Sequence, residues 1–122
     1  MKGLIITVCL LLVLSIAIFL NSLYLVKVHN ELVKMTNSLT ENPSAENEIY
    51  IQKAQAYWER SKIILSLSVN NKEIDNLSNA LDSLALANKL RATLEFSLYK
   101  ELFENAIEGI FRLERFSVEN IL

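Results

Sequence analysis

One histidine, one cysteine and a few carboxylates are the side chains able to do chemistry in these 122 residues. His29 has Asn30 and Glu31 beside it. A metal site or a general base needs converging partners, and no second histidine or soluble cysteine exists to supply them. His29 therefore reads as a residue of the surface or of a membrane interface. Cys9 lies inside a long apolar run. It can form no intrachain disulfide, and the small residues that precede a lipid-modified cysteine are missing.

Among the carboxylates, Glu73 and Asp75 are the most concentrated pair. Two residues apart on a helix, they point to different faces and cannot share a proton as a catalytic dyad does. In a first helical turn they would instead complement the helix dipole. Glu101, Glu104, Glu108 and Glu114 share one stretch with Arg112 and Arg115. The spacing sets Glu108 against Arg112 and Glu104 against Glu108, the mixed pattern of a solvated helix face. Trp58, with Tyr57 next to it, has the stacking surface for a ligand, although a lone Trp on a helix more often fills a core. The only glycines are Gly3 and Gly109, so no glycine-rich phosphate cradle or nucleophile elbow can form. No activated nucleophile or acid–base set is visible. The expectation is a protein that is not an enzyme and takes no metal or cofactor.

The elements that would position these groups start with an apolar run. From residue 4 to residue 20 only Thr7 and Ser15 interrupt it, and weaker apolar character continues to Val26. At 1.5 Å per residue this is long enough for a bilayer core of about 30 Å. Asn21, Ser22 and Tyr24 then suit the headgroup region. A cleaved signal peptide is the rival reading, with Ser15-Ile16-Ala17 as a loose cleavage pattern. Ile18-Phe19-Leu20 prolong the run past that point, which favours an uncleaved anchor. Lys2 faces Lys27 and Lys34 across the segment, and the very short N-terminal tail favours an N-terminus inside. The expected location is the cell membrane, single-pass, with a cytoplasmic N-terminus and an extracytoplasmic domain. The expected division is an anchor at 1–26 and a helical bundle domain at 27–122.

From Lys27 onward eleven basic residues stand against fourteen acidic ones. With no clustered Lys or Arg, nucleic acid is excluded as a partner. Leu25, Val28, Leu32, Met35 and Leu39 step by three and four, so the anchor helix is expected to continue into the domain. The only proline, Pro43, lies in a connector at 40–47 and signals a helix start. A second helix is expected over about 44–67, burying Ile51, Ala54, Trp58 and Leu65, with Ile64 beside them. Asn70-Asn71 interrupts it. A third helix carries Ile74, Leu77, Leu81 and Leu84 in its cleanest amphipathic row. A break is expected near Ala87-Asn88. A fourth helix then presents two rows: Phe96, Tyr99, Phe103, Ala106, Ile110 and Leu113, and beside them Leu94, Leu98 and Leu102. Short connectors make antiparallel neighbours, so the fold class is all-α: a transmembrane helix continuing into an antiparallel bundle of about four helices.

The tail from Phe116 to Leu122 ends on apolar residues. It is expected to fold back and cap the bundle, or else to dock a partner. Phe111, Phe116, Val118, Ile121 and Leu122 form the candidate partner surface.

The chain resembles one bacterial family, domain of unknown function 4363, over nearly its whole length. The resemblance rests on the Met-Lys start and anchor, on Trp58 followed by Asn70-Asn71-Lys72-Glu73-Ile74-Asp75-Asn76-Leu77, and on the ending Leu113-Glu114-Arg115-Phe116-Ser117-Val118-Glu119-Asn120-Ile121-Leu122. It implies a short membrane-anchored protein of a Gram-positive bacterium and carries no activity with it. Members often have a histidine before the Glu-Ile-Asp stretch and another in the last helix, where this chain has Asn71 and Gly109. Any site built on those histidines is lost here. The functional expectation is a non-catalytic envelope protein that docks a protein partner or a second copy. A sensor taking a small ligand or lipid between Trp58, Tyr99 and Phe103 is the alternative.

Overall fold

The computed structural model describes residues 1–67 and 69–121, with side chains described up to residue 110. Four helices follow one another: α1 (Lys2–Asn37), α2 (Ala45–Leu65), α3 (Asn71–Lys89) and α4 (Thr93–Ile121). No strand occurs among the described residues.

α1 is one unbroken helix of 36 residues, about 54 Å long at 1.5 Å per residue. Its two parts meet different surroundings. Every residue up to Leu20 is exposed, and the helix first packs on the rest of the chain at Asn21 and Ser22. Leu25, Val28, Leu32 and Thr36 are then buried. In the exposed part, Thr7 Oγ1 donates to the Gly3 carbonyl at 2.9 Å and Ser15 Oγ to that of Leu11 at 2.8 Å. Both hydroxyls are thus satisfied inside the helix, as an apolar surrounding requires.

The helices pair α1 with α2, α2 with α3, α3 with α4 and α4 with α1. Each helix thus has two neighbours, α1 lies diagonally across from α3, and the bundle runs up and down with short connectors. Its core holds Trp58, Phe96, Phe103, Leu32, Leu65, Leu77, Leu81 and Leu84, all fully buried. The α3 row is buried as its spacing predicts. On α2 the buried row runs Ile51, Ala54, Trp58, Ser61, Leu65. The steps of three and four pass through small Ser61 and leave Ile64 exposed.

Local chemistry sets the ends of the helices. Ser44 caps α2 by accepting from the Asn47 amide, so Pro43 lies just outside the helix. Asn70 caps α3 through the Lys72 amide. The α3–α4 turn falls at Leu90 to Ala92, beyond the expected break at Ala87-Asn88. Ala92 N–H donates to the Ala87 carbonyl and Arg91 N–H to that of Asn88, the pair of bonds that closes a helix through a left-handed residue. That residue is Arg91, at φ 55°, where glycine is the usual choice. Asn88 does not end the helix because its side chain is engaged elsewhere.

That engagement is with the α1–α2 connector. Asn88 Oδ1 accepts from Ser44 N at 2.9 Å, and its Nδ2 donates to the Ser44 carbonyl at 3.0 Å. Asn47, also fully buried, accepts from Thr40 N at 2.9 Å and donates to the Asn42 carbonyl at 2.9 Å. Two asparagines thereby supply the hydrogen bonds that the connector's backbone requires once it is covered. Among the described residues no buried side-chain nitrogen or oxygen lacks a partner.

Candidate functional site

Glu108 of α4 accompanies His29 across the junction of α1 and α4. His29 Nε2 lies 2.9 Å from Glu108 Oε1, with the two side chains 17% and 53% exposed. The other ring nitrogen, Nδ1, lies 3.3 Å from Asn30 Oδ1. The spacing of Glu108 had suggested Arg112 as its partner; that arginine lies outside the described side chains. An imidazole oriented by a carboxylate is half of an acid–base device and still needs a nucleophile or a substrate cleft. The recess beside the pair, about 310 Å³, is lined by Val33, Thr36, Asn37, Glu104 and Asn105. Its one hydroxyl, that of Thr36, is spent on the Leu32 carbonyl at 2.8 Å. The pair joins α1 to α4. Among the described residues no three His, Cys, Asp or Glu side chains converge as metal ligands.

A second recess is the open groove between α3 and α4, about 430 Å³. Its lining includes Glu73, Asn76, Asn79, Tyr99, Leu102 and Asn105. Glu73 is half-buried in it while Asp75 is exposed, so the two carboxylates do diverge. A Cβ at Gly109 would lie 3.2 Å from Glu73 Oε2, so the absence of a side chain there lets α4 come close to this carboxylate.

The aromatic residues do not line one cavity. Trp58 is buried in the core and its Nε1 donates to Ser78 Oγ at 2.7 Å. Phe103 borders a void of about 10 Å³ shared with Met35, Ala54 and Leu81. That is close to the space one water needs. Tyr99 faces the α3–α4 groove. Next to Trp58, burial pushes the Tyr57 hydroxyl above its ordinary value of 10, against an opposing hydrogen bond with Ser61.

The two rows of α4 separate. Phe96, Phe103 and Ile110 are buried, Ile107 joins them, and Tyr99 and Ala106 are half-buried. Leu94, Leu98 and Leu102 remain 79%, 52% and 45% exposed. Among the described residues they form an apolar row left largely open to solvent. Leu113, Phe111, Phe116, Val118 and Ile121 belong to the part of α4 whose side chains lie outside the description, and Leu122 lies outside it altogether. The expected capping or docking by this tail therefore lies outside the described residues.

Sequence reasoning missed the roles of Asn47, Asn88 and Glu108. A signal was present for the asparagines, since each lies on the apolar row of its helix. Nothing in the sequence linked residue 29 to residue 108.

The model of one family, Domain of unknown function (DUF4363), matches residues 17–121. No curated protein and no solved structure matches the chain.

Proposed function

The chain belongs to this Domain of unknown function (DUF4363) family, and from that premise we propose that it is a non-catalytic, single-pass membrane protein whose helical bundle docks another protein at the outer face of the membrane. The unbroken course of α1 carries this reading. One helix supplies an exposed apolar segment long enough to cross a bilayer and, without a joint, a full edge of the bundle core. A bundle mounted in this way has no flexible linker. It holds its surfaces at a set height and angle above the membrane, which suits a docking platform.

The docking surface is the row Leu94, Leu98 and Leu102, an apolar stripe rimmed by Glu95, Glu101 and Asn105. Helix-on-helix packing along that stripe is the mode it fits. A photo-crosslinking residue at position 98 of the full chain in its native membrane is expected to capture one defined protein, or a second copy. The same residue at Ile49 is expected to capture neither. The Leu94→Ser/Leu102→Ser pair should abolish the capture. Equal capture from positions 49 and 98 would overturn the reading.

A further inference from the structure

The bundle makes its own second contact with the bilayer: we propose that the α2–α3 turn, through Ile63, Ile64 and Leu67, sinks into the interfacial layer of the membrane that α1 crosses. The inference rests on the anchored reading above.

Three cross-helix contacts set the level of this turn along α1. His29 is level with Glu108, through the 2.9 Å contact between them. Gly109, the next residue of α4, lies against Glu73. Glu73 is therefore level with His29, in the first turn of α3. The α2–α3 turn immediately precedes it, about one helical turn of 5.4 Å further toward the anchor. That brings it level with Leu25, where α1 changes from exposed apolar helix to packed core. The buried residues agree, since Leu65, Ile74 and Ile110 close the core at this same end. The turn thus forms the base of the bundle, at the mouth of the membrane-spanning segment.

The base is apolar where it faces outward. Ile63, Ile64 and Leu67 are 69%, 46% and 86% exposed. In water such a cluster is unfavourable, whereas the boundary of headgroups and acyl chains takes it in to a depth of about 5–10 Å. Lys27, Arg60, Lys62 and Lys72 surround the base, with Glu59, Glu73 and Asp75 among them. Long basic side chains can reach up to the phosphates while their stems lie in the apolar layer. Near-balance among these described charges favours an apolar contact that requires no anionic lipid. Leu86 and Leu90 are also exposed, but they sit toward the opposite end, about 20 Å and about 25 Å along α3 from Glu73. The same bilayer cannot cover both ends.

The test uses the full chain with Cys9→Ser, reconstituted in vesicles of neutral phosphatidylcholine. Single cysteines replace Val13, Ile63, Leu67 or Leu90, each labelled with an environment-sensitive fluorophore. All four positions are exposed, so the substitutions leave the core intact. Probes at 63 and 67 should emit at shorter wavelength than the probe at 90. They should be quenched several-fold more by lipid brominated near the headgroup than by lipid brominated at the chain end. Added salt should not change this. A Val13 probe in the acyl region with 63 and 67 in water would overturn this inference alone. All four probes in water would overturn the anchored reading with it. Insertion that needs anionic lipid would overturn the apolar mechanism.

Discussion

The two parts of α1 have the same backbone and opposite relations to their surroundings. Residues 2–20 present apolar side chains on every side and bury none of them in the protein. Residues 21–37 present one apolar row, Leu25, Val28 and Leu32, and bury it. The hydroxyls follow the same division. Thr7 and Ser15 bond back to their own helix in the exposed part, and Thr36 does so in the buried core. A helix hydrophobic all round needs a solvent that is apolar all round, while a striped helix needs only a neighbour on one side. One continuous element thus joins a part suited by composition to an apolar solvent to a part suited to a protein neighbour.

The sharpest way to break this comparison is one substitution made twice on one helix. Leu32→Ala empties a filled core position and should cost about 2–5 kcal/mol, lowering the Tm of the bundle by roughly 10 °C or more. Leu12→Ala should leave it unchanged. Thermal unfolding followed by near-ultraviolet circular dichroism, in detergent, checks both. An equal loss from the two would mean that the lower half of α1 also packs on protein.

Asn88 provides the next largest effect. Asn88→Leu leaves the Ser44 amide and carbonyl covered without their partners, at about 1–3 kcal/mol. Denaturant unfolding should show a lower midpoint, and amide exchange at residue 44 should accelerate. A purely apolar core would have tolerated the change. Arg91→Gly works in the other direction. Relief of the left-handed backbone should stabilise the bundle by about 1 kcal/mol, net of the lost contact from Arg91 Nη1 to the Asn88 carbonyl. A higher denaturation midpoint is the expected reading.

The smallest effect concerns pH. Burial raises the folded-state pKa of Tyr57 above the unfolded value. Its contribution is therefore fully present below the unfolded pKa and is lost as pH rises through the folded one. As pH rises past about 10, the parent chain should lose more stability than Tyr57→Phe. Parallel losses in the two proteins would show that Tyr57 ionises equally well in the folded and unfolded chains.

Much of the architecture was legible before any coordinates. The apolar run of α1 and the steps of three and four in α3 are direct consequences of helix geometry, and both are present as read. The details that failed share one cause. Periodicity identifies a row of positions and cannot tell which of two adjacent rows finds a neighbour. On α2 the packed row passes through Ser61 and excludes Ile64. On α4 the Phe96 row is buried and the Leu98 row is not. Asn88 looked like a break because asparagine disfavours helix interiors. Its cost is repaid by Ser44, a residue 44 positions away. Leu94, Leu98 and Leu102 were legible as a row but not as exposed, and the candidate surface read from the sequence, Phe111, Phe116, Val118, Ile121 and Leu122, lies outside the described side chains.

Hydrophobic patterning alone determined that this chain is helical, that its first segment is apolar enough to cross a membrane, and that its remainder must form a bundle. Those properties depend on residue order at separations of three and four, which any reader of the chain can count. Tertiary structure alone decided that His29 meets Glu108, that Asn88 reaches Ser44, and that the α2–α3 turn lies level with the point where α1 becomes buried. Each is a contact between residues far apart in the chain. It forms because the bundle's four helices have one register that fills the core around Trp58 and Phe103, and local spacing carries no record of that register.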